Sequence, residues 1–127
     1  METARILLQI VIALGILNVW CLRLNQPTEY RGGDAKNMEE EFRVYGLSKV
    51  VMVSTGAAKV LLALLLLYGL WDPSVVPFVS GGMALLMLIA VTMHFKVRDP
   101  LRKAVPAFLM MLMSIVVLMS GRPVPLS

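Results

Sequence analysis

An apolar run from residue 50 to residue 70, VVMVSTGAAKVLLALLLLYGL, limits the folds open to this chain because it is long enough to cross a bilayer. A helix rises about 1.5 Å per residue, so the run covers the roughly 30 Å of hydrocarbon in a membrane. Its one charge, Lys59, lies about 14 Å along that helix, close to the midplane. A charge there costs about 2.5–3.5 kcal/mol, and the surrounding leucines and valines, at about 0.3–0.6 kcal/mol each, offset that cost. We therefore expect a transmembrane helix with a lysine near its centre.

The chain carries three other apolar segments of similar length, at residues 6–22, 75–95 and 104–120. Hydrophobic residues make up 58% of the chain and charged residues 16%, far from the roughly 45–50% and 25% of soluble domains. The first segment looks like a signal peptide, but no small-residue cleavage site follows it, so we expect it to be kept as a span. The sequence predicts an all-α fold, an antiparallel four-helix transmembrane bundle that forms a single membrane domain over residues 1–127.

The long polar first loop, residues 23–49, has its own helical signal. Asn37 followed three residues later by Glu40 fits a capping box, which predicts a short helix over residues 38–45. Three apolar residues fall on one face of that helix: Met38, Phe42 and Tyr45. This amphipathic pattern is typical of a helix that lies on the membrane surface.

Basic residues are divided unevenly between the two ends of the predicted spans. Nine lie in or beside the loops 23–49 and 96–103, and two, Arg5 and Arg122, lie at the opposite ends. Because basic residues favour the cytoplasmic side, we expect both loops in the cytoplasm and both termini on the other side. The net charge of +4 does not indicate nucleic-acid binding, since these residues flank apolar segments instead of clustering on a soluble module.

The reactive side chains exclude several classes of site within one chain. The single cysteine, Cys21, excludes an internal disulfide and a Cys-x-x-Cys redox pair. The single histidine, His94, excludes bis-histidine haem ligation, and no cluster of cysteines and histidines offers a metal site. With no nucleophile, base and orienting group in a recognisable set, we expect no catalytic activity of the chain's own and no tightly held cofactor.

Antiparallel threading of the spans places several polar residues in the half of the bilayer next to the loops. A lysine on a helix leans toward the helix N-terminus, so we expect Lys59 to reach toward Thr55. Asn18, His94 and Ser114 would lie in the same half, and together the five residues predict a polar ligand-binding pocket. Three acids of the first loop are candidates for pairing with Lys59 over its mouth: Glu39, Glu40 and Glu41. Lys59 itself has three interpretations: a packing residue, a ligand contact or a proton relay.

The order of motifs from residue 42 to residue 120 is familiar. KVLLALLLLYG at residues 59–69 is followed by a short turn, a glycine-bearing third span with MLIAV, a basic Asp-Pro loop and a proline-led fourth span. This order resembles the DoxX-like family of small four-helix membrane proteins. The resemblance implies either an accessory or chaperone-like role or a link to thiosulfate:quinone oxidoreduction and membrane redox assemblies. Lys59 stands where the family more commonly has a glutamate, and this charge reversal weakens a direct transfer of quinone chemistry.

Two functions follow as expectations. The first is an accessory or assembly subunit of a membrane complex, whose partners would be the lipid bilayer and other membrane subunits or further copies of the chain. The alternative is a quinone-binding subunit of a membrane-bound oxidoreductase system, in which Lys59 or His94 donates a hydrogen bond to a quinone carbonyl. The residues permit a bound quinone or lipid but not electron storage, so another subunit would supply the redox cofactor.

Overall fold

The computed structural model describes residues 2–22 and 30–120, and within them every regular element is helical. Helix α1 spans Glu2–Leu17 and continues as a π-helical turn over Asn18–Leu22. The short helix α2 covers Met38–Val44. The long helices α3, α4 and α5 cover Lys49–Tyr68, Val76–Lys96 and Leu101–Ser120, and a 3-10 turn at Pro73–Val75 leads into α4. The predicted all-α fold with four long apolar helices is confirmed.

Four segments of the described residues are long and apolar enough to cross a membrane: Thr3–Leu22, Lys49–Tyr68, Pro73–Lys96 and Leu101–Ser120. Their outward faces carry large apolar side chains, among them Leu61, Phe78 and Leu85. Such a surface is stable in contact with acyl chains and unstable in water. The chain is therefore a multi-pass integral membrane protein whose helices contact lipid.

The helices form a ring in which α1 and α4 each contact both α3 and α5. The main core lies in the half of the bundle near the α3–α4 turn, where Ile12, Leu66 and Met83 are fully buried. Gln9 is also fully buried, and its amide donates a 2.9 Å hydrogen bond to the backbone carbonyl of Leu66. Arg5 in turn donates a 2.6 Å hydrogen bond to the Gln9 side chain, so α1 is tied to α3 at this end.

The short helix α2 begins and ends with the local signals expected of it. The Asn37 side chain accepts a 2.8 Å hydrogen bond from the Glu40 backbone N–H at the N-terminus. At the C-terminus Gly46 has a φ of 80°, and the N–H groups of Gly46 and Leu47 bond back to the carbonyls of Arg43 and Phe42. This is the pattern of a Schellman motif, which requires a left-handed residue after the helix.

The structure differs from our expectation in where α2 buries its apolar face. Met38, Phe42 and Tyr45 are buried within the protein, and Met38 and Phe42 form a second small core with Met52. The apolar face therefore packs on the loop-side end of the bundle instead of on lipid. Periodicity shows that a helix has an apolar face that must be buried. It does not show whether that face packs against the rest of the protein or against lipid.

The last long helix begins earlier than predicted. Helix α5 starts at Leu101 and not at residue 104, so Arg102 and Lys103 belong to its first turn. Pro106 therefore lies in the second turn of the helix. The hydrophobic segment predicts the part of a helix that lies in lipid, and charged residues at its end can extend the helix beyond it. The basic residues Arg23 and Arg122, used for the sidedness prediction, lie outside the described residues.

Candidate functional site

A cavity of about 700 Å³ lies between the helices in the loop-side half of the bundle. Each long helix contributes the part nearest the polar loops: residues 15–20 of α1 and its π-helical turn, 51–59 of α3, 86–94 of α4 and 103–110 of α5. The first loop and α2 cover the end of the cavity through residues such as Arg31, Glu41 and Phe42. Its size falls in the range of pockets that hold small organic ligands, about 300–1,000 Å³.

One wall of the cavity is set by Trp20, which lies on the π-helical turn at the end of α1. Its ring packs against Gly56 so closely that a Cβ atom there would come within 2.4 Å of a ring carbon. The ring also makes an edge contact with Phe42, with centroids 6.1 Å apart. Trp20, within this π-helical turn, therefore packs between Gly56 of α3 and Phe42 of α2.

Lys59 lies on the same face of α3 as Val51 and Thr55, at intervals of four residues, and all three line the cavity. Its Nζ atom lies 5.6 Å from the centroid of the Trp20 ring. This separation is within the range of a cation–π interaction. Within residues 2–22 and 30–120 the Lys59 amine has neither a hydrogen bond nor an ion pair.

A second group of polar side chains closes the loop-side end of the cavity around Glu41. Its carboxylate accepts 3.1 Å hydrogen bonds from the Arg31 guanidinium and the Gly32 backbone N–H. The Tyr45 hydroxyl donates a third, 2.6 Å long. Burial, followed by the negative charge of Glu41, raises the pKa of the Tyr45 phenol above its ordinary value. The phenol is therefore held in its neutral, donating form.

His94, at the end of α4, joins this group to the α4–α5 turn. Its Nδ1 atom lies 2.7 Å from the Asp99 carboxylate, and its Nε2 atom lies 3.5 Å from the Tyr45 hydroxyl. The other oxygen of Asp99 accepts a 3.0 Å hydrogen bond from the Gly33 backbone N–H. The chain Glu41–Tyr45–His94–Asp99 thus fastens the first loop to α4 and the turn that follows it.

The structure brings most of the predicted pocket residues together. Asn18, Thr55, Lys59 and His94 all line the one cavity, as the antiparallel threading suggested. Ser114 does not line it. Its side chain is buried in α5, and its hydroxyl has no hydrogen-bond partner among the described residues.

The loop acids differ from our expectation, because none of them forms an ion pair with Lys59. Glu41 pairs with Arg31, and Glu39 pairs with Arg43 one helical turn away. Glu40 accepts a 2.9 Å hydrogen bond from the Lys36 backbone N–H. Glu39 and Glu40 are engaged by partners four residues away, and Glu41 by Arg31, ten residues away.

Several residues of the site were not singled out from the sequence. From the sequence, Trp20 is only a member of the first apolar segment, residues 6–22, and Tyr45 only a member of the apolar face of the short helix at residues 38–45. Asp99 was a loop residue without a role, although its place five residues after the only histidine is a signal that a His–Asp pair could have used. Gly56 carries a weaker signal, as a glycine one turn before the lysine at the centre of the span.

The arrangement combines a hydrogen-bonded polar end with apolar walls on α4 and α5. Such a cavity suits an elongated molecule with one polar head group. Groups of three or more potential metal-binding side chains are absent from the described part of the chain.

Comparison with known proteins agrees with this architecture. No curated protein and no solved structure shows significant similarity to the chain. A family model does match, over residues 7–116. This range includes α3 and α4, most of α1 and α5, and the described residues that line the cavity. The chain therefore belongs to the DoxX-like family.

Proposed function

We propose that this protein is a non-catalytic accessory or assembly subunit of a membrane complex, and that its cavity holds a small molecule bound between the helices. The observation that carries the proposal is the cavity itself, covered by a polar loop that is fastened by the Glu41–Tyr45–His94–Asp99 chain. The polar groups at its end mostly bond to one another, which suits holding and positioning better than bond making.

The test of this role is isolation of the full chain from native membranes in polymer-bounded nanodiscs, without detergent. Native mass spectrometry should then find a second protein in fixed stoichiometry with the chain. A tagged Lys49→Met variant is a suitable control for tag effects, because Lys49 lies outside the cavity at the exposed start of α3. Repeated isolation as a lone species, or as copies of this chain only, would contradict the proposal.

A second candidate function is a quinone-binding subunit of a membrane-bound oxidoreductase system. It is favoured by the Lys59 amine, a hydrogen-bond donor without a protein partner among the described residues, at the deep end of a cavity with apolar walls. A quinone carbonyl could accept that bond, and a partner subunit would supply the electrons.

Lipid extraction of the purified protein, followed by mass spectrometry, distinguishes this candidate from the first. Quinone near one equivalent per chain, lost in Lys59→Leu and kept in Lys49→Met, is the expected result. The idea is removed if quinone is absent and Lys59→Leu leaves the activity of the complex unchanged.

A further inference from the structure

The charges around the cavity are unbalanced, and this imbalance restricts the ligand. Among the described residues that line it, three side chains are cationic, from Arg31, Lys59 and Lys103, and one is a carboxylate, from Glu41. Arg31 is paired with Glu41, and the Lys103 amine donates to the Gly33 carbonyl. In the described structure Lys59 lies over the face of Trp20 and interacts electrostatically with Glu41 beyond ion-pair distance, without a hydrogen bond or ion pair. A cation at this depth is stabilised most by an anion at hydrogen-bond distance.

The apolar part of the cavity is formed by α4, which is beside α3 in the ring, and by α5, which is opposite it. The α4 and α5 walls present methionine and alanine side chains, including Met87, Ala90, Met93 and Met110. Methionine is unbranched and flexible, so such a wall adapts to a chain of variable shape. The cavity therefore offers a cation and an aromatic ring on one side and a pliable hydrocarbon surface on the other.

On this basis we infer that the cavity binds an anionic amphiphile with a single acyl chain, whose carboxylate or phosphate head group pairs with Lys59 beside Trp20. The inference rests on the proposed function, since it names the class of molecule that the cavity holds. A neutral quinone carbonyl would accept one hydrogen bond from Lys59 but would leave its charge unbalanced. The volume of about 700 Å³ accommodates one chain more readily than the two of a membrane phospholipid.

Fluorescence quenching of Trp20 tests the inference directly. The full chain with Trp71→Phe, in nanodiscs of zwitterionic lipid, has Trp20 as its one tryptophan. Brominated fatty acid should quench it saturably, because bromine quenches only over short distances. Lys59→Met should weaken the apparent affinity at least tenfold, while Lys49→Met should leave it unchanged.

Parallel titrations with other probes identify the head group. Brominated lysophosphatidylglycerol tests a phosphate head group, and brominated fatty acid tests a carboxylate. The probe that binds more tightly identifies which of the two head groups the cavity prefers. Brominated monoacylglycerol, which is neutral, should bind at least tenfold more weakly than either. Equal binding of the neutral probe, quenching without saturation, or equal quenching in Lys59→Met would overturn the inference.

Two further measurements keep these outcomes distinct. Lys59→Met removes a charge from a span and should insert well, and its helical circular dichroism is compared with that of Lys59→Gln to verify folding. If either variant folds and still binds as the parent does, the inference fails. Saturable binding of an anionic probe without a stoichiometric protein partner would support the inference and contradict the accessory role. A stoichiometric protein partner without saturable binding of an anionic probe would support the accessory role and contradict the inference.

Discussion

At the scale of single residues, the site depends on close approach between side chains that a sequence pattern does not place together. Trp20 occupies the space left by the missing side chain of Gly56, and Lys59 lies one turn further along the same helix. Trp20 also touches Phe42, so one ring links α1, α2 and α3. The addition of one methyl group at residue 56 should therefore change the contact between Trp20 and Lys59.

We expect Gly56→Ala to displace Trp20 and to destabilise the protein by about 1–3 kcal/mol, the usual cost of overpacking. With Trp71→Phe in the background, the emission of Trp20 should shift, as measured by fluorescence in nanodiscs. Gly81→Ala is the matched control, because nothing lies within 4 Å of a Cβ at Gly81 and a helical glycine costs about 0.5–1 kcal/mol relative to alanine. Unchanged emission in Gly56→Ala would contradict the packing described here.

Tyr45 gives a prediction about pH. Its pKa is raised, chiefly by burial and then by Glu41, so the fold favours the neutral phenol. This contribution to stability is present below the ordinary value of about 10 and is lost as the pH rises through the raised pKa. The difference in phenolate absorbance between the parent and Tyr45→Phe should therefore stay absent well above pH 10. A phenolate signal assigned to Tyr45 at pH 10 would show that the residue is not buried beside Glu41.

At the scale of elements, the first loop and α2 act as a cover that is fastened to the α4–α5 turn. Asp99 accepts hydrogen bonds from the Gly33 N–H and from His94, and Lys96 donates a 2.9 Å bond to the Tyr45 carbonyl. The bonds of Gly33 with Asp99 and of Lys96 with Tyr45 join residues 66 and 51 positions apart in the chain. Loss of one central acceptor should free the cover while leaving the long helices in place.

We expect Asp99→Ala to accelerate hydrogen–deuterium exchange of backbone amides in residues 31–47, because hydrogen bonds to charged groups contribute about 1.5–3 kcal/mol each. Exchange within α3 should stay slow. Asp72→Ala is the matched control, since Asp72 caps the turn at the other end of the bundle, where bonds from Ser74 lower its pKa. If the backbone amides of residues 31–47 exchange equally slowly in Asp99→Ala and Asp72→Ala, Asp99 does not fasten the cover.

The elements differ in how far the sequence predicted them. The long helices follow from apolar runs, since every residue in lipid must satisfy its backbone locally, and α2 follows from its caps. The site does not follow in the same way. Trp20 lies on a π-helical turn, and the His94–Asp99 pair spans a reversal of the chain at Arg98, which has a φ of 59°. Pairings such as Tyr45 with His94 depend on how helices meet, which local periodicity does not encode.

At the scale of the whole molecule, the two ends of the bundle are built differently. The end near the α3–α4 turn is filled by the apolar core, and the end near the polar loops holds the cavity and its charged cover. The basic residues of the loops predict that this second end faces the cytoplasm.

Labelling of single cysteines tests that orientation. In a Cys21→Ser background, Asp34→Cys places a thiol in the first loop and Ser74→Cys places one in the α3–α4 turn, both at exposed positions. An impermeant maleimide should label the first variant only in inverted vesicles and the second only in right-side-out vesicles. The opposite pattern would reverse the orientation, and labelling of both variants from one side would exclude four spans.

The filled core beneath the cavity determines from which side a ligand can reach it. Ile12, Leu66 and Met83 are fully buried and fill the distal half of the bundle, so a molecule in the cavity would enter and leave from the loop-side half, which lies in one leaflet. The protein would then sample the lipids of that leaflet alone, and an enzyme or flippase that changes its composition would set the occupancy without touching the protein.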